Sequence, residues 1–338
     1  MITEAAEKLA QKQDLTSDEM QTVMEEIMTG QTDTAQVVEF LERLSAKGET
    51  VDEITAAARV MCAHSVKISA ARDVIVDTCG TGGDCKGTFN VSTAAAFVIA
   101  GCGVTVAKHG NRSVSSPCGS ADILEAVGVK IALPKEKIER CLDQIGIAFL
   151  FAPGLHPAMK HAMPARKQIG KRTVFNILGP LCNPAKATHQ LIGVFTPALT
   201  QVIAQVAGNL GSKRAMVVHG KDGLDEITTT DATFVSEFAG GTVSTYEIAP
   251  EDFGLRRADP VDLLGGDVDD NIQILLEVLN GKTGFYRDIT ALNAAAALYV
   301  AEKARDIREG IEAALESIDS GKALKKLALL KQMSNEKD

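Results

Sequence analysis

Over residues 1–70 the apolar positions recur every three or four residues. Val37, Val38, Leu41 and Leu44 form the clearest set, and that spacing places side chains on one face of a helix. Start and stop signals divide the stretch: Thr16-x-x-Glu19 and Thr50-x-x-Glu53 read as capping boxes, Asp33 as the cap of residues 36–47, and Gly30 and Gly48 as stops. The pattern predicts a compact bundle of short helices, with room for a face that meets a partner subunit. From residue 74 the rhythm changes to short β-branched runs at 74–76, 104–106, 191–195 and 215–218, each followed by a glycine-containing loop and a helix. Such alternation predicts a parallel sheet flanked by helices, with binding sites at the carboxyl ends of the strands. The loops at Gly80, Lys108 and Gly220 would meet there. Residues 153–184 turn loop-rich and helical again and are expected to rejoin the bundle, whereas 291–331, rich in Ala, Leu and Glu, read as closing helices without chemistry. The fold class is therefore α/β, a small all-helical domain plus a larger α/β domain with a mainly parallel central sheet.

Composition narrows the partners. The chain has 338 residues, 45% hydrophobic and 23% charged, which is ordinary for a globular protein with sizeable cores. A net charge of −9, no Trp and only three Tyr argue against a basic, aromatic-rich surface for nucleic acid. Positive potential for an anionic ligand must then be local, from Lys, Arg, backbone N–H groups or a divalent metal. The seven cysteines form no C-x-x-C pair and suggest neither a zinc site nor a disulfide framework. Met1-Ile2-Thr3-Glu4-Ala5-Ala6-Glu7-Lys8 lacks an apolar signal core, so a cytoplasmic chain with reduced thiols is expected. Residues 88–107 are uncharged, but Asn90, Ser92 and Gly101-Cys102-Gly103 break them into a helix and a strand rather than a membrane span.

Four stretches carry candidate chemistry. Gly80-Thr81-Gly82-Gly83-Asp84 follows a strand-like run and precedes a helix-like one; glycines there let consecutive N–H groups close around an anion. A dinucleotide fingerprint fails at Cys85, and a P-loop fails because Lys86 precedes Gly87. What remains is a glycine turn followed by Thr88, Asn90, Ser92 and Thr93 at a helix start, suited to a phosphate or, alternatively, simply a strand-to-helix turn with a Ser/Thr cap. Lys108-His109-Gly110-Asn111-Arg112-Ser113-Val114-Ser115-Ser116 follows the next strand and ends near Ser120; Lys108 and Arg112 could neutralise phosphate and the serines could donate to it. Asp225-Glu226 lies after residues 217–219, where adjacent carboxylates suit Mg²⁺ together with substrate phosphate oxygens. Arg166 could hold a carboxylate bidentately, while His156, His161 and His189 lack metal-ligand spacing and read as structural. The absence of G-x-S-x-G disfavours a serine hydrolase.

In order, Gly80-Thr81-Gly82-Gly83-Asp84, Asn90-Val91-Ser92-Thr93, Lys108-His109-Gly110-Asn111-Arg112-Ser113, Arg172-Thr173-Val174-Phe175-Asn176-Ile177-Leu178-Gly179-Pro180-Leu181 and Asp225-Glu226 resemble the anthranilate phosphoribosyltransferase family of tryptophan biosynthesis. The likeness spans roughly residues 1–335. It implies a helical domain of residues 1–70 plus about 165–188, through which a homodimer forms, and an α/β domain of 72–164 plus 189–338 that binds phosphoribosyl pyrophosphate. It implies that this substrate is lined by Gly80, Gly83, Asp84, Thr88, Asn90, Val91, Ser92, Thr93, Lys108, His109, Gly110, Asn111, Arg112, Ser113, Val114, Ser115, Ser116 and Ser120. Anthranilate would meet Gly80, His109, Asn111 and Arg166, and Mg²⁺ would be held by Ser92, Asp225 and Glu226. No acid or base is implied, which suits an aromatic amine already neutral at pH 7. Transient contact with other tryptophan-pathway enzymes is a further expectation. The rivals are a pyrimidine nucleoside phosphorylase and a non-enzymatic nucleic-acid-binding relative, both less compatible with these loops and this charge.

Overall fold

A computed structural model describes residues 1–113 and 118–336; the expected site residues Val114, Ser115 and Ser116 lie outside the described residues. The amino-terminal stretch forms α1 (Ile2–Ala10), α2 (Ser17–Met28), α3 (Thr34–Lys47) and α4 (Val51–Ala63). The capping signals operate as read. Glu19 N–H donates to Thr16 Oγ1 (3.2 Å) while the Glu19 carboxylate accepts from Thr16 N–H (2.7 Å), and Asp33 with Gln36 and Thr50 with Glu53 repeat the arrangement. Val37, Phe40, Leu41 and Leu44 are the buried face of α3, with Val38 only partly covered.

Glu53 does more than cap. Its side chain is fully buried, accepts from Leu15 N–H (2.9 Å) and Thr50 N–H (2.8 Å), and pairs at 2.9 Å with the Lys47 ammonium, which also pairs with the exposed Asp14 at 2.7 Å. One carboxylate thus ties the α1–α2 connection and the α3–α4 connection to a single point.

The sheet contains β1 (Ile75–Asp77), β2 (Thr105–Gly110), β3 (Ile147–Phe151), β4 (His189–Gly193), β5 (Arg214–Gly220), β6 (Thr233–Ala239) and β7 (Thr242–Ile248), in the order β3-β2-β1-β4-β5-β6-β7. Pairings among β1 to β5 are parallel, and β6 and β7 close one edge as an antiparallel hairpin. Three strands were not read from the sequence. β3 (Ile-Ala-Phe-Leu-Phe) has a single β-branched residue and is buried along most of its length, so neither alternation nor β-branching marks it. The hairpin had a usable signal: Gly240 (φ +57°) and Gly241 (φ +85°) form the two-residue turn between Ala239 and Thr242. β2 also runs on to Gly110, so Lys108 and His109 belong to a strand rather than to the loop expected after residue 106.

The chain leaves β1 towards β2 on one side and returns to β4 on the other, so strand order reverses at the β1–β4 boundary. Ligands of open α/β sheets bind at such a reversal, beyond the carboxyl ends of the strands. The helix that follows β1, α5 (Val91–Gly101), is apolar on all sides and buried under the helices Phe285–Val300, Ile307–Asp319 and Lys322–Asn335. A second core joins α1–α4 to the helices Met163–Ile169 and Phe175–Leu181 and continues through the helix Leu199–Asn209 to Ile192, Ala215 and Val217 on the sheet. Among the described residues no helix is long and apolar enough to cross a membrane.

Removing Glu53 should unfasten two connections, leave the Leu15 and Thr50 amides without their acceptor and reduce the Lys47 ion pairing to Asp14. Glu53→Ala is expected to cost about 3 kcal/mol or more, read from urea unfolding, and Glu53→Gln to cost less because the amide can still accept from the backbone. A loss under about 0.5 kcal/mol in Glu53→Ala would overturn this role.

Candidate active site

The loops after β1, β4 and β5 are built to touch. At the end of β4, a Cβ on Gly193 would stand 1.5 Å from the Asp225 carbonyl oxygen, and at Gly80 it would stand 2.9 Å from Asp225 Oδ2. At Gly193 the obstacle is backbone and glycine is required; at Gly80 the nearest atom is a side-chain tip, with the Gly193 carbonyl at 3.2 Å. Thr81 N–H donates to Gly193 O (2.8 Å), and Gly82 N–H donates to Asp225 Oδ2 (2.7 Å). Gly82, Gly83 and Gly87 take positive φ, as does Cys85 at +58°. The far end of the loop is pinned by Gly265 N–H to Gly87 O (2.9 Å), Phe89 N–H to Leu263 O (3.1 Å) and a bridge between Thr88 and Leu264.

At the start of α5 a plain side-chain cap is absent. Asn90 makes no cap bond; its Nδ2 donates to Cys118 O (3.2 Å), and its buried Oδ1 has no partner among the described residues. Val91 is buried, and Ser92 N–H donates instead to Glu226 Oε1 (3.2 Å). A carboxylate therefore already sits at this helix amino terminus, where the helix dipole favours negative charge. Thr93 faces elsewhere: it is buried and lines a small cavity with Phe97, Lys108 and Phe149.

Asp84, Asp225 and Glu226 converge. Burial, followed by the charge of Asp84 hydrogen-bonded beside it, raises the Asp225 carboxyl to about 6. Burial, followed by the charge of Asp225, raises Glu226 to about 8, with Lys108 opposing. Carboxyls that repel one another in a low-dielectric site are what a divalent cation relieves, and hard oxygen donors are the ligands Mg²⁺ takes. These residues, with the Ser92 hydroxyl beside them, fit that ion. Lys108 is buried, its Nζ donating to Thr78 O (2.9 Å) and Ser92 Oγ (3.3 Å). It lies under the carboxylates as their counter-charge.

A second group, Asp77, Cys79 and His109, brings its ligand atoms within 4.8 Å of one another. Its valences are spent on the fold. Asp77 accepts from His109 N–H (3.1 Å) and Asn183 Nδ2 (2.7 Å), and burial raises its carboxyl to about 6 despite Lys108. Burial pushes the Cys79 thiol up to about 12. His109 Nδ1–H donates to Gly179 O (3.1 Å), leaving Nε2 to accept from His156 Nε2–H (3.2 Å), a proton placement set by the bonding network. Burial, with each pushed further by a nearby basic group, lowers His109 to about 3 and His156 to about 4, so both rings are neutral.

The remaining expected residues separate. Arg112 is exposed and pairs with Asp122 (2.9 Å) and Glu125 (2.8 Å). Asp122 also accepts from Ser113 N–H and Gly119 N–H, both at 3.0 Å, holding the two ends of the second loop. Ser120 Oγ donates to Asn111 O (3.2 Å), and Gly110 leaves no room for a Cβ beside Ser120 and Phe149. Arg166 is half-buried over the Phe175 ring at 5.7 Å, and burial lowers its guanidinium. The helix Phe175–Leu181 beside it reaches β2 through the Gly179–His109 bond. Sequence reading missed Gly193, Asp77 and Asn183, whose roles arise from segments far apart in the chain.

Comparison with known proteins agrees in extent and arrangement. Residues 3–65 match the glycosyl transferase family, helical bundle domain, and residues 72–324 the glycosyl transferase family, a/b domain. The anthranilate phosphoribosyltransferase of Syntrophobacter fumaroxidans is 53% identical over 336 residues, covering 99% of this chain and 100% of the relative. That of Symbiobacterium thermophilum is 51% identical over 97% of this chain and 96% of the relative. The crystal structure of the Thermus thermophilus anthranilate phosphoribosyltransferase superposes with a TM-score of 0.93 at 39% identity, covering 98% of this chain and 99% of the other. The Saccharomyces cerevisiae enzyme in complex with PRPP and Mg gives 0.88 at 29% identity, covering 98% and 97%.

Gly193→Ala should displace Asp225, because the obstacle is backbone and no rotamer relieves it. A loss of about 3 kcal/mol in unfolding free energy is expected, against little change for Gly154→Ala, where nothing stands within 4 Å; equal effects would contradict the crossing. The histidine pair gives a pH signature of defined sign. Both folded values are depressed, so its stability is present above the unfolded value near 6.5 and is lost as pH falls, by about 2 kcal/mol per histidine at pH 5. Because the raised carboxyls of Asp77, Asp225 and Glu226 act in the opposite sense over the same range, the pair's share is read as the difference between the unaltered protein and His156→Gln. Urea unfolding should show the variant gaining stability at pH 5 relative to pH 7 by about half of that share, and an identical pH dependence in the two proteins would count against it.

Proposed function

The chain belongs to the anthranilate phosphoribosyltransferase family, and from that premise we propose how the crevice between β1 and β4 divides the work of the reaction. The enzyme transfers the 5-phosphoribosyl group of phosphoribosyl pyrophosphate to the amino group of anthranilate. The amine nitrogen bonds to C1′, the bond from C1′ to the pyrophosphate oxygen breaks, and the amine proton leaves to solvent. Charge grows on the departing pyrophosphate, so stabilising that charge is the main demand.

The meeting of the glycine loop with the acidic pair supports this reading most: Gly82 N–H on Asp225 Oδ2 at 2.7 Å and Ser92 N–H on Glu226 Oε1 at 3.2 Å. Asp225, Glu226 and Ser92, with Asp84 adjacent, would hold Mg²⁺. Bound there, the ion supplies charge neutralisation for the pyrophosphate. With the Ser92 amide given to Glu226 and the Gly82 amide to Asp225, the rest of the glycine loop is the backbone suited to its oxygens, with Gly80, Gly83, Thr88 and Asn90 shaping that side. Lys108 acts from beneath, balancing Glu226 and Asp77 rather than meeting phosphate as a free cation. Ser113 and Ser120 border the substrate from the second loop, and Arg112 contributes by fixing that loop.

Arg166 is the receptor for the anthranilate carboxylate. A half-buried guanidinium whose charge burial disfavours gains from an anionic ligand. Asn111 and Gly80 would meet the same substrate from the loops after β2 and β1, and the neutral His109 offers a ring without a competing charge. No residue need act as a strong base, since orientation of an uncharged amine suffices. The full-length identity gives no ground for the phosphorylase or nucleic-acid readings. A homodimer through the helical bundle, working in the cytoplasm, completes the proposal.

The test is loss of anthranilate fluorescence on adding phosphoribosyl pyrophosphate and Mg²⁺; no turnover in folded protein would sink the reading. Arg166→Ala should raise the anthranilate KM at least tenfold, roughly the loss of one charged hydrogen-bonded pair, with a smaller change in kcat. Asp225→Asn combined with Glu226→Gln should shift activity to much higher Mg²⁺. The converse pattern would reverse the two assignments.

A further inference from the structure

Arg172 lies between the helices Met163–Ile169 and Phe175–Leu181 and reaches across the crevice to the glycine loop. Its Nη2 donates to the Gly83 carbonyl. Its guanidinium carbon stands 4.0 Å from the centre of the Phe195 ring, two residues beyond β4. A Cβ on Gly83 would stand 3.4 Å from Nη2, an ordinary contact distance, so what calls for glycine here is the positive φ of +80° rather than the guanidinium. Three segments thereby meet at one side chain: the loop after β1, the exit of β4, and the connector that leads from the Arg166 helix.

The loop needs such a fastening. Gly82 and Gly83 sit at φ +67° and +80° and have no side chains to pack, while the other ties of the loop's backbone lie before Gly83, at Thr81 and Gly82, and after it, at Gly87 to Phe89, with the Asp84 side chain meeting Asp225 between them. Glycine loses more conformational freedom on ordering than any other residue. A ligand that met a loose loop would bear that ordering loss as weaker binding. We propose that Arg172 is a positioning residue that holds the glycine loop in its binding conformation before phosphoribosyl pyrophosphate arrives, with Phe195 as the surface on which its guanidinium rests. The planar guanidinium suits both contacts at once, which an ammonium does not. The part that concerns the substrate rests on the proposed function; the fastening itself does not.

Two measurements separate those parts. Hydrogen exchange on the substrate-free protein should show faster exchange of the amides of residues 82–86 in Arg172→Ala with unchanged protection of α5 and β1; unchanged loop exchange would overturn the clasp whatever the enzyme does. In steady-state kinetics, Arg172→Ala should raise the KM for phosphoribosyl pyrophosphate about tenfold, the scale of one hydrogen bond from a charged donor, with anthranilate KM and kcat changing less than about threefold. Arg172→Lys should recover part of the loss, and Phe195→Leu should weaken binding in the same direction without adding to Arg172→Ala. Equal rises in both KM values, or full additivity of the two variants, would overturn the positioning role. If the unaltered protein has no transferase activity, the functional reading fails while the exchange result still decides the clasp.

Discussion

The passage of the chain at Asp225 across the ends of β1 and β4 is the constraint on which the site depends. Its backbone lies so near Gly193 that no side chain fits between them, and its carboxylate closes over Gly80 to take the Gly82 amide. That crossing seats the loop after β5 against the loops after β1 and β4. It brings the acidic pair to the amino terminus of α5, where Ser92 meets Glu226. A parallel sheet whose order reverses between β1 and β4 opens a crevice there; Asp225 determines what the crevice contains.

The electrostatics follow from that placement. An acidic protein of net charge −9 prepares a site for polyanionic chemistry by gathering carboxylates in it. Burial, with the charge of neighbouring carboxylates, raises the proton affinity of Asp225 and Glu226, and Lys108 beneath them balances only part of the charge. The deficit is what a divalent cation supplies, and with it attraction for pyrophosphate. The neighbouring network of Asp77, Asn183, His109 and His156 consumes its donors and acceptors internally and keeps both rings neutral. One polar cluster thus carries unbalanced charge to the cleft, while the other supplies a rigid floor.

Much of this was legible in one dimension, because it depends on neighbours in sequence. The capping boxes at Thr16 and Thr50 act across three residues, and the helical bundle, the strands β1, β2, β4 and β5 and the glycine turn at Gly80 are patterns of adjacent residues. Where a segment carried weak local preference, the reading stopped short. β3 is apolar without being β-branched, and β2 continued through Lys108 because parallel pairing with β3, from Val106–Ile147 to Gly110–Phe151, outweighed the polar character of its last residues.

Residue types and motif order alone determined the family, the α/β class and which residues were candidates for phosphate, metal and carboxylate. Only the tertiary structure decided what each candidate's partners are. It paired Arg112 with Asp122 and Glu125, buried Thr93 beside Lys108, set Lys108 under the carboxylates, and gave Gly193 and Arg172 contacts that no local motif announces. The physical reason is range. Propensity and capping act within a turn of the chain, whereas close approach, burial and charge pairing are set by segments that meet only after the sheet has formed and the loops have crossed above it.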